Sequence, residues 1–295
     1  MTAATELRAE QDRGRKAAQN REKWASVRTY VSAAVILFWC LAPAYWMVVT
    51  AFRDVGYTYD TSLLPTHVTL DNFRTAFDTS FGNKFGQALL NSVFIGVTVT
   101  LISLVLGVFA AYALARLNFR FKYLVLGFIL GASMFPGVAL ITPLFQLFTN
   151  IGWIGTYQAL IIPNISFVLP LTVYTMTSFF REMPWELEEA ARVDGCTQGQ
   201  AFRRVIMPLA APAIFTTAIL AFISSWNEFL IASQLSNDQT QPVTVAIANF
   251  AGAQPQQIPY TAIMAAGTIV TIPLVILVLV FQRKIVAGLT AGAVK

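Results

Sequence analysis

Long apolar stretches separated by shorter polar ones are the dominant pattern of this sequence. Five intervals contain no Lys, Arg, Asp or Glu, and each exceeds the roughly 20 residues that a helix needs to cross a bilayer. They lie between residues 28 and 53, 84 and 116, 122 and 181, 204 and 228, and 238 and 283. Because backbone groups find no water in lipid, each crossing is predicted to be helical.

The intervals predict an all-α polytopic membrane protein with six spans. The third interval is long enough to cross twice and is divided by the turn-prone sequence 150–157. The fifth holds only one span, because residues 239–259 are rich in Gln, Pro and Gly. The predicted helices run near 30–52, 85–115, 123–148, 155–180, 209–233 and 260–282. They leave an N-terminal arm (1–29), outer loops (53–84 and 234–259), a charged insert (181–208) and a C-terminal tail (283–295).

Prolines and small residues add detail to these spans. Pro136, Pro143, Pro163 and Pro170 fall inside the third and fourth helices, where each removes a backbone donor and favours a kink. Small residues recur every four positions, which lets helices approach closely. The residues concerned are Gly107, Ala111 and Ala115 on the second helix, and Gly127 and Gly131 on the third.

Composition supports a membrane protein and charge gives its orientation. Hydrophobic residues make up 56% of the chain and charged ones 12%, against about a quarter charged in soluble proteins. Seventeen of the 20 Lys and Arg residues fall in the arm, the loop after the second helix, the insert and the tail; the others are Arg53, Arg74 and Lys84. The positive-inside rule then predicts that both termini and the insert lie on the cytoplasmic side of a prokaryotic cell membrane. It also accounts for the basic pI without a nucleic-acid partner.

Several other features carry less information. The "APA" at 42–44 could mark a signal-peptide cleavage site, but the polar leader before it is too long, so a retained first helix is expected. Residues 1–28 are expected to form a mobile or surface-helical arm. Cys40 and Cys196 lie in different regions and are not expected to pair. His67, the sole histidine, predicts no metal site.

The charged insert contains "EEAARVDGCTQGQAFRRVIMP", residues 188–208. Pro184 suits a first helical position, acids crowd the early turns and Arg192 follows, which predicts a short helix. Gly195 can take the left-handed conformation that ends it, and a second helix is expected from Thr197 to about Ile206. From the residues alone a solvated loop remains an alternative. A DNA-reading helix-turn-helix is disfavoured because two spans flank the insert closely.

This stretch resembles the EAA loop of binding-protein-dependent ABC import permeases. The matching positions are Glu189, Ala190, Ala191, Asp194, Gly195, Phe202, Ile206, Pro208 and Pro212. Cys196 and Met207 depart from the usual Ala and Leu. The resemblance implies the type I importer permease fold, with an insert that docks into a cleft on a nucleotide-binding subunit. Arg203 joins the matching positions from Glu189 to Pro208 as a candidate coupling residue.

Two further stretches resemble the carbohydrate branch of the family, in particular the second permease of maltose- or trehalose-type transporters. They are "SSWNEFLIA" (224–232) and "GLTAGAVK" (288–295). The resemblance implies that the tail reaches the ATPase subunits, against the alternative of a frayed terminus; its candidates are Gly288, Leu289, Thr290, Ala291 and Gly292.

Glu228 is the one acid expected inside a span. It joins Trp226 and Asn227 as a candidate for the solute path, against the alternative of helix packing.

The predicted function is therefore that of a non-catalytic permease subunit of an ABC sugar importer, with a disaccharide such as trehalose or maltose as solute. The chain has no G-x-x-x-x-G-K-[ST] loop, so ATP and Mg²⁺ are expected on partner subunits and no cofactor on this chain. The resemblance implies two ATPase subunits, a second permease and an extracytoplasmic sugar-binding protein. The amide-rich outer segments 237–241 and 254–257 are candidates for contact with that binding protein.

Three alternatives remain open. The first is an ABC permease for glycerol phosphate, an amino acid or a polyamine, although the almost uncharged spans favour a neutral, hydroxylated solute. The second is an ion-driven secondary transporter, which would be expected to carry ionisable core residues and internal repeats. The third is a membrane enzyme, for which no metal-ligand cluster or nucleophile–base pair is visible.

Overall fold

The computed structural model describes residues 2–80, 82–250 and 259–291, with side chains for residue 21 and for 23–80, 82–250 and 259–282. Most of the described residues are helical, and one isolated bridge joins Arg53 to Val68. The helices are α1 (Thr2–Ala51), α2 (Asp71–Ala76), α3 (Phe85–Arg116), α4 (Lys122–Ser133), α5 (Gly137–Asn150), α6 (Tyr157–Glu182), α7 (Glu186–Val193), α8 (Gln198–Ala201), α9 (Met207–Trp226), α10 (Leu230–Leu235), α11 (Val243–Ala248) and α12 (Tyr260–Ala291).

Five helical stretches in these ranges are long and apolar enough to cross a membrane. They are 23–51, 85–116, 157–182, 198–226 and 260–282. α4 and α5 together provide a sixth crossing if the bent pair is counted as one span. The predicted all-α polytopic fold is confirmed.

The third predicted helix, 123–148, is not continuous. α4 and α5 meet at an angle of 87° around residues 134–136. Pro136 explains the break, because it has no N–H and disfavours helical geometry in the residue before it. Its carbonyl instead accepts the first hydrogen bond of α5, from the Ala139 amide at 3.0 Å. Pro163 and Pro170, by contrast, lie inside α6, which continues through both.

The fifth predicted helix, 209–233, is wrong at both ends. Helix begins at Gln198, passes through a π-helical turn at Phe202–Ile206 and continues as α9 to Trp226. In the π turn the Met207 amide bonds to the carbonyl of Phe202. Pro208 follows directly and cannot complete the regular bond to Arg204, so the shifted register falls where the α-helical pattern fails. The predicted separate helix from Thr197 to Ile206 is thus an extension of α9.

The two terminal helices extend beyond their predicted limits. α1 runs back to Thr2, so the N-terminal arm continues the first span as helix. α12 runs on to Ala291, past the predicted end at residue 282. α1 and α12 pack closely: a Cβ built on Gly267 would lie 3.0 Å from the Met47 sulfur. In each of these two helices only 11% of the apolar membrane-spanning segment is buried, which leaves wide apolar faces for lipid or a partner subunit.

α3 lies at the centre of the molecule and packs mainly against α6 and α9. A Cβ on Gly107 would lie 2.5 Å from the Thr172 Cγ2 on α6, and Ala111 and Ala115 are buried. The predicted small-residue contact of the second helix is confirmed. It is wrong for Gly127 and Gly131 on α4, where a Cβ would meet nothing within 4 Å.

The first outer loop is organised around Arg53, which the sequence analysis placed in that loop. Its side chain is 1% exposed, lies 4.6 Å above the Trp46 ring and donates to the carbonyls of Asp60 and Ser62. Hydrogen bonds from the hydroxyl and the amide of Ser62 lower the pKa of Asp60. His67 stacks on Tyr57 at 4.0 Å, which gives the sole histidine a packing role.

Candidate coupling insert and solute path

The insert turns at Gly195 by a hydrogen-bonded helix end. The Gly195 amide bonds to the carbonyl of Arg192 and the Cys196 amide to that of Ala191, each at 3.0 Å. Gly195 has φ of +87°, the left-handed conformation that this pattern requires. The predicted short helix and its glycine stop are confirmed, but the helix begins at Glu186, so Pro184 precedes it and does not occupy its first position.

The segment after the bend is built as a helix start. The Thr197 hydroxyl accepts from the Gln200 amide at 3.3 Å, and the Gln200 side chain accepts from the Thr197 amide at 2.9 Å. This reciprocal pair satisfies two donors that a helix N-terminus otherwise leaves free. Since α8 continues through the π turn into α9, the second half of the insert is a rigid extension of a membrane helix.

One face of the insert packs against the permease itself. Ile206 and Ala191 are buried, and the Phe202 ring lies 4.5 Å from the Tyr112 ring and 5.7 Å from the Phe109 ring. Phe202 and Ile206 were predicted within the coupling loop. The half-buried Phe202 and the fully buried Ile206 anchor that loop to the permease, and of the two only Ile206 is wholly enclosed.

The opposite face of the insert is exposed and mixes acidic, small and apolar groups. Among the predicted coupling residues, the exposed ones are Glu189, Ala190, Asp194, Gly195, Arg203 and Pro208. Val193 is 88% exposed beside Asp194 and was missed. The sequence could have indicated this residue, because a valine between a charged Arg192 and an Asp-Gly turn is expected to be exposed. The face offers both carboxylates and an apolar contact to a partner.

Two residues of α3 were also missed, although they hold the insert in place. The Tyr112 hydroxyl donates to the Glu188 Oε1 at 2.9 Å, and Glu188 is buried. The Arg116 Nη2 donates to the Met183 carbonyl at 2.8 Å, and the guanidinium lies 4.5 Å from the centre of the Trp185 ring. Arg116 was predicted to be a loop charge, but it is the buried last residue of α3.

The prediction that Glu228 lies inside a spanning helix is wrong. Glu228 occupies the break between α9 and α10, where its carboxylate accepts from the amides of Ile231 at 2.7 Å and Ala232 at 3.0 Å. These amides belong to the first turn of α10 and have no partner within that helix. Its main-chain carbonyl accepts from the Thr244 hydroxyl at 2.7 Å. The acid therefore holds the outer end of α9 to its neighbours.

The other two solute-path candidates differ in access. Trp226 is 2% exposed and packs 5.4 Å from Phe222, so its ring offers no stacking surface in this conformation. Asn227 is exposed at the end of α9. The cavity that includes Glu228, Asn164 and Ser225 measures about 10 Å³, room for about one water molecule.

The outer segment Asn237–Gln241 is anchored to α3. Asn91 donates to the carbonyls of Gln239 at 2.8 Å and Gln241 at 3.0 Å, and it accepts from the Tyr157 hydroxyl at 2.8 Å. The segment Gln254–Gln257 lies outside the described residues. Of the predicted tail contacts, Gly288 to Ala291 have helical backbone as part of α12, and Gly292 lies outside the described residues.

These features define a helical membrane protein whose insert has one packed face and one exposed face, and sequence comparison identifies its family. The profile of the family described as "Binding-protein-dependent transport system inner membrane component" matches residues 103–290. The chain belongs to this family, and it is a permease of the ABC sugar importer class. The predicted resemblance is confirmed.

Two relatives show how close the similarity is. The trehalose transport system permease protein SugB of Mycobacterium tuberculosis is 46% identical over 273 residues, which cover 92% of this chain and 97% of the relative. The trehalose/maltose transport system permease protein MalG of Thermococcus litoralis is 40% identical over 267 residues, covering 90% and 95%. Such relatives are transport subunits.

A solved structure shows the same fold at much lower sequence identity. It is a chain of a bacterial ABC transporter involved in the import of the acidic polysaccharide alginate. The two chains align with a TM-score of 0.74 and 21% identity, over 89% of this chain and 97% of that one. At this identity the comparison supports the fold alone.

Proposed function

We propose that this chain forms half of the translocation path of an importer for a disaccharide resembling trehalose or maltose. Two ATPase subunits, a second permease and an extracytoplasmic sugar-binding protein complete the assembly. ATP and Mg²⁺ are bound by the ATPase subunits, and this chain catalyses no reaction. The observation that carries the proposal is the exposed face of the insert, which presents the EAA-loop residues on a rigid extension of α9.

The insert is suited to passing on a movement imposed from the cytoplasmic side. Glu189 and Asp194 can pair with cations of an ATPase cleft, while Ala190 and Val193 allow close approach. Because α8, the π turn and α9 are one continuous helix, displacement of the insert displaces α9 directly. The helices packed on α9, notably α3 and α6, then follow.

Charge supports the orientation that this role requires. The insert and both termini lie on the side that carries most Lys and Arg residues, which the positive-inside rule assigns to the cytoplasm. ATP is available on that side. The same charge bias supports a cytoplasmic C-terminal tail, and therefore the proposed contact of Gly288 to Gly292 with the ATPase subunits.

The nature of the spans favours a neutral solute. They carry almost no charged side chains, which suits hydroxyl-rich sugars better than glycerol phosphate, amino acids or polyamines. Asn227 is the remaining candidate of the three for solute contact in this chain, since Trp226 and Glu228 serve packing and capping. The similarity to SugB and MalG supports trehalose or maltose.

Purification of the tagged chain with the proteins encoded beside it tests the proposal. We expect an ATPase and a second permease to co-purify, and ATP hydrolysis to rise with one sugar and its binding protein. The panel should contain trehalose, maltose, diacetylchitobiose and sulfoquinovosyl glycerol, because relatives at 34% and 35% identity are named for the last two. A chain that purifies alone and imports sugar with an ion gradient would overturn the proposal.

A charge reversal tests the insert face. Glu189→Lys places a cation against the expected cations of the ATPase cleft, so we expect sugar import to fall while the permease pair still assembles. Glu186→Lys reverses an exposed acid at the start of the same helix, outside the EAA match, and serves as the control. Equal import by the two variants would contradict the assigned face.

A further inference from the structure

The contact between α3 and α7 is the strongest feature that the proposed function does not use. We define the α3–α7 contact by Tyr112 and Arg116 on one side and Trp185 and Glu188 on the other. Tyr112 and Arg116 are four residues apart and therefore share a face of α3. Both reach the insert, one through a hydroxyl and one through a guanidinium.

Glu188 is an unusual residue to find buried in this position. Its side chain is 6% exposed, and the Tyr112 hydroxyl donates to one carboxylate oxygen. The other oxygen has no hydrogen-bond partner among the described residues, nor do the Nε and Nη1 of Arg116. Burying a carboxylate is costly unless hydrogen bonds and opposite charge compensate, so an apolar residue would stabilise this position more simply.

The geometry of the insert gives this polar contact a use. α7 has eight residues, too few to hold its shape and position without tertiary contacts. An apolar contact would let such a helix slide or roll on α3. A hydrogen bond between a fixed phenol and a buried carboxylate is directional and sets one register.

We propose that Tyr112 and Glu188 are a positioning pair that fixes α7 on α3, so that movement of the insert is transmitted to α3 as well as to α9. The inference rests on the proposed function, because it assumes that an ATPase moves the insert. Arg116 supports the pair by holding the start of α7 through Met183 and Trp185. At its other end α3 holds the outer segment 237–241 through Asn91, so the transmitted movement reaches the outer surface.

Conservative variants in the reconstituted importer test the pair. Tyr112→Phe keeps the ring on Phe202 and removes only the hydroxyl, and Glu188→Gln keeps the size and one acceptor oxygen. Glu188→Ala removes the group. The matched controls are Tyr123→Phe, an exposed tyrosine on α4, and Glu186→Gln, an exposed acid on α7. The readouts are sugar imported per ATP hydrolysed, and the yield and melting temperature of the assembled complex.

We expect Tyr112→Phe and Glu188→Ala to lower import per ATP at least about tenfold, the scale of one lost hydrogen bond to a charged acceptor. The import per ATP of Glu188→Gln should lie between the values of these variants and that of the wild type. The Tyr112→Phe/Glu188→Ala double variant should import no less sugar per ATP than either single variant. Complex yield should hold, and the controls should match the wild type.

The opposite outcomes are distinct. An unchanged ratio in Tyr112→Phe and Glu188→Ala would overturn the pair. So would a loss of assembled complex in both that accounts for all the lost import, because the contact would then be structural only. Failure of the proposed function would instead appear in the wild-type chain, as absence of an ATPase partner or of sugar-stimulated hydrolysis.

Discussion

At the residue scale, Gly195 shows most directly how one position shapes the insert. A side chain there would strain the left-handed backbone, at a cost of about 1–2 kcal/mol. We expect Gly195→Ala to lower the stability of the purified chain by about this amount and to reduce import. Gly195→Pro should be worse, because φ cannot reach +87° and the bond from the Gly195 amide to Arg192 is lost.

Gly199, four residues later, provides the control. It lies in α8, and a Cβ there would meet nothing within 4 Å. Gly199→Ala should therefore be neutral or stabilising by up to about 1 kcal/mol, since alanine favours helix. Thermal unfolding of both variants in detergent compares them. Equal melting temperatures would show that the bend does not depend on a left-handed residue.

Glu228 carries a second prediction at this scale, one that separates capping from solute contact. Glu228→Ala leaves the amides of Ile231 and Ala232 without their acceptor, at a cost of about 1–2 kcal/mol. We expect a lower melting temperature and an unchanged sugar concentration for half-maximal import. Asn227→Ala, which changes the exposed neighbour, should show the reverse pattern. If Glu228→Ala changed the sugar concentration for half-maximal import without lowering the melting temperature, Glu228 would again be a candidate for solute contact.

Residue-level expectations succeeded where the cause is local. Gly195 follows from its neighbours in sequence, because a short acidic helix needs a left-handed end before Thr197. Glu228 was misplaced because the apolar pattern on both sides of it continues, and its partner amides belong to a helix that only tertiary packing reveals. Arg116 was assigned to a loop for the same reason, because Met183 and Trp185, which it contacts, are distant in sequence. Arg53 does lie in a loop, but its burial depends on how that loop folds around it, which the charge pattern does not predict.

At the element scale, the close approach of α3 and α6 depends on Gly107. Thr172 Cγ2 would lie 2.5 Å from an added Cβ, and it cannot easily turn away, because its hydroxyl bonds to the Val168 carbonyl at 3.0 Å and β-branched side chains are stiff. We expect Gly107→Ala to destabilise the fold by about 1–3 kcal/mol through overpacking. Unfolding of the purified variant measures it.

A second-site change makes this prediction specific. Thr172→Ser removes the obstructing methyl and keeps the hydroxyl, so it should restore most of the stability lost in Gly107→Ala. Gly127→Ala on α4 is the matched control, since it meets no atom within 4 Å and should be neutral or stabilising. If Thr172→Ser did not restore stability, the Thr172 methyl group would not be the cause of the loss in Gly107→Ala.

The number of membrane spans could be predicted from the sequence more reliably than the residues at which the helices begin and end. Charge-free intervals locate spans because the bilayer fixes their length, and α3 and α6 match their predicted ranges within a few residues. The same rule cannot find the bend at Pro136, because that break lies deep within uncharged sequence. The fourth interval does end at Glu228, two residues after the end of α9, but the predicted helix was continued to residue 233 because the sequence after Glu228 is again apolar. Nor can the rule show that α8 joins α9, since a π turn has no signature in the apolar pattern.

At the scale of the whole molecule, orientation is the property on which the proposed function depends most. If the charge bias sets it, the insert faces the cytoplasm, where ATP is available. Cys196 is a native probe, half-buried in the insert, and Cys40 can be replaced by serine. In that background we expect a membrane-impermeant maleimide to label Cys196 in inside-out vesicles and not in right-side-out ones.

A probe on the other face completes the test. Asp238 is exposed in the outer segment, so an Asp238→Cys variant that also lacks Cys196 should show the reverse labelling. Paired results of this kind exclude leaky vesicles, which would label both sites from both sides. If Cys196 reacted only from outside, the insert and its coupling residues would be out of reach of any ATPase. The chain would then need a different energy source despite its family, because a surface facing away from ATP cannot transmit its hydrolysis.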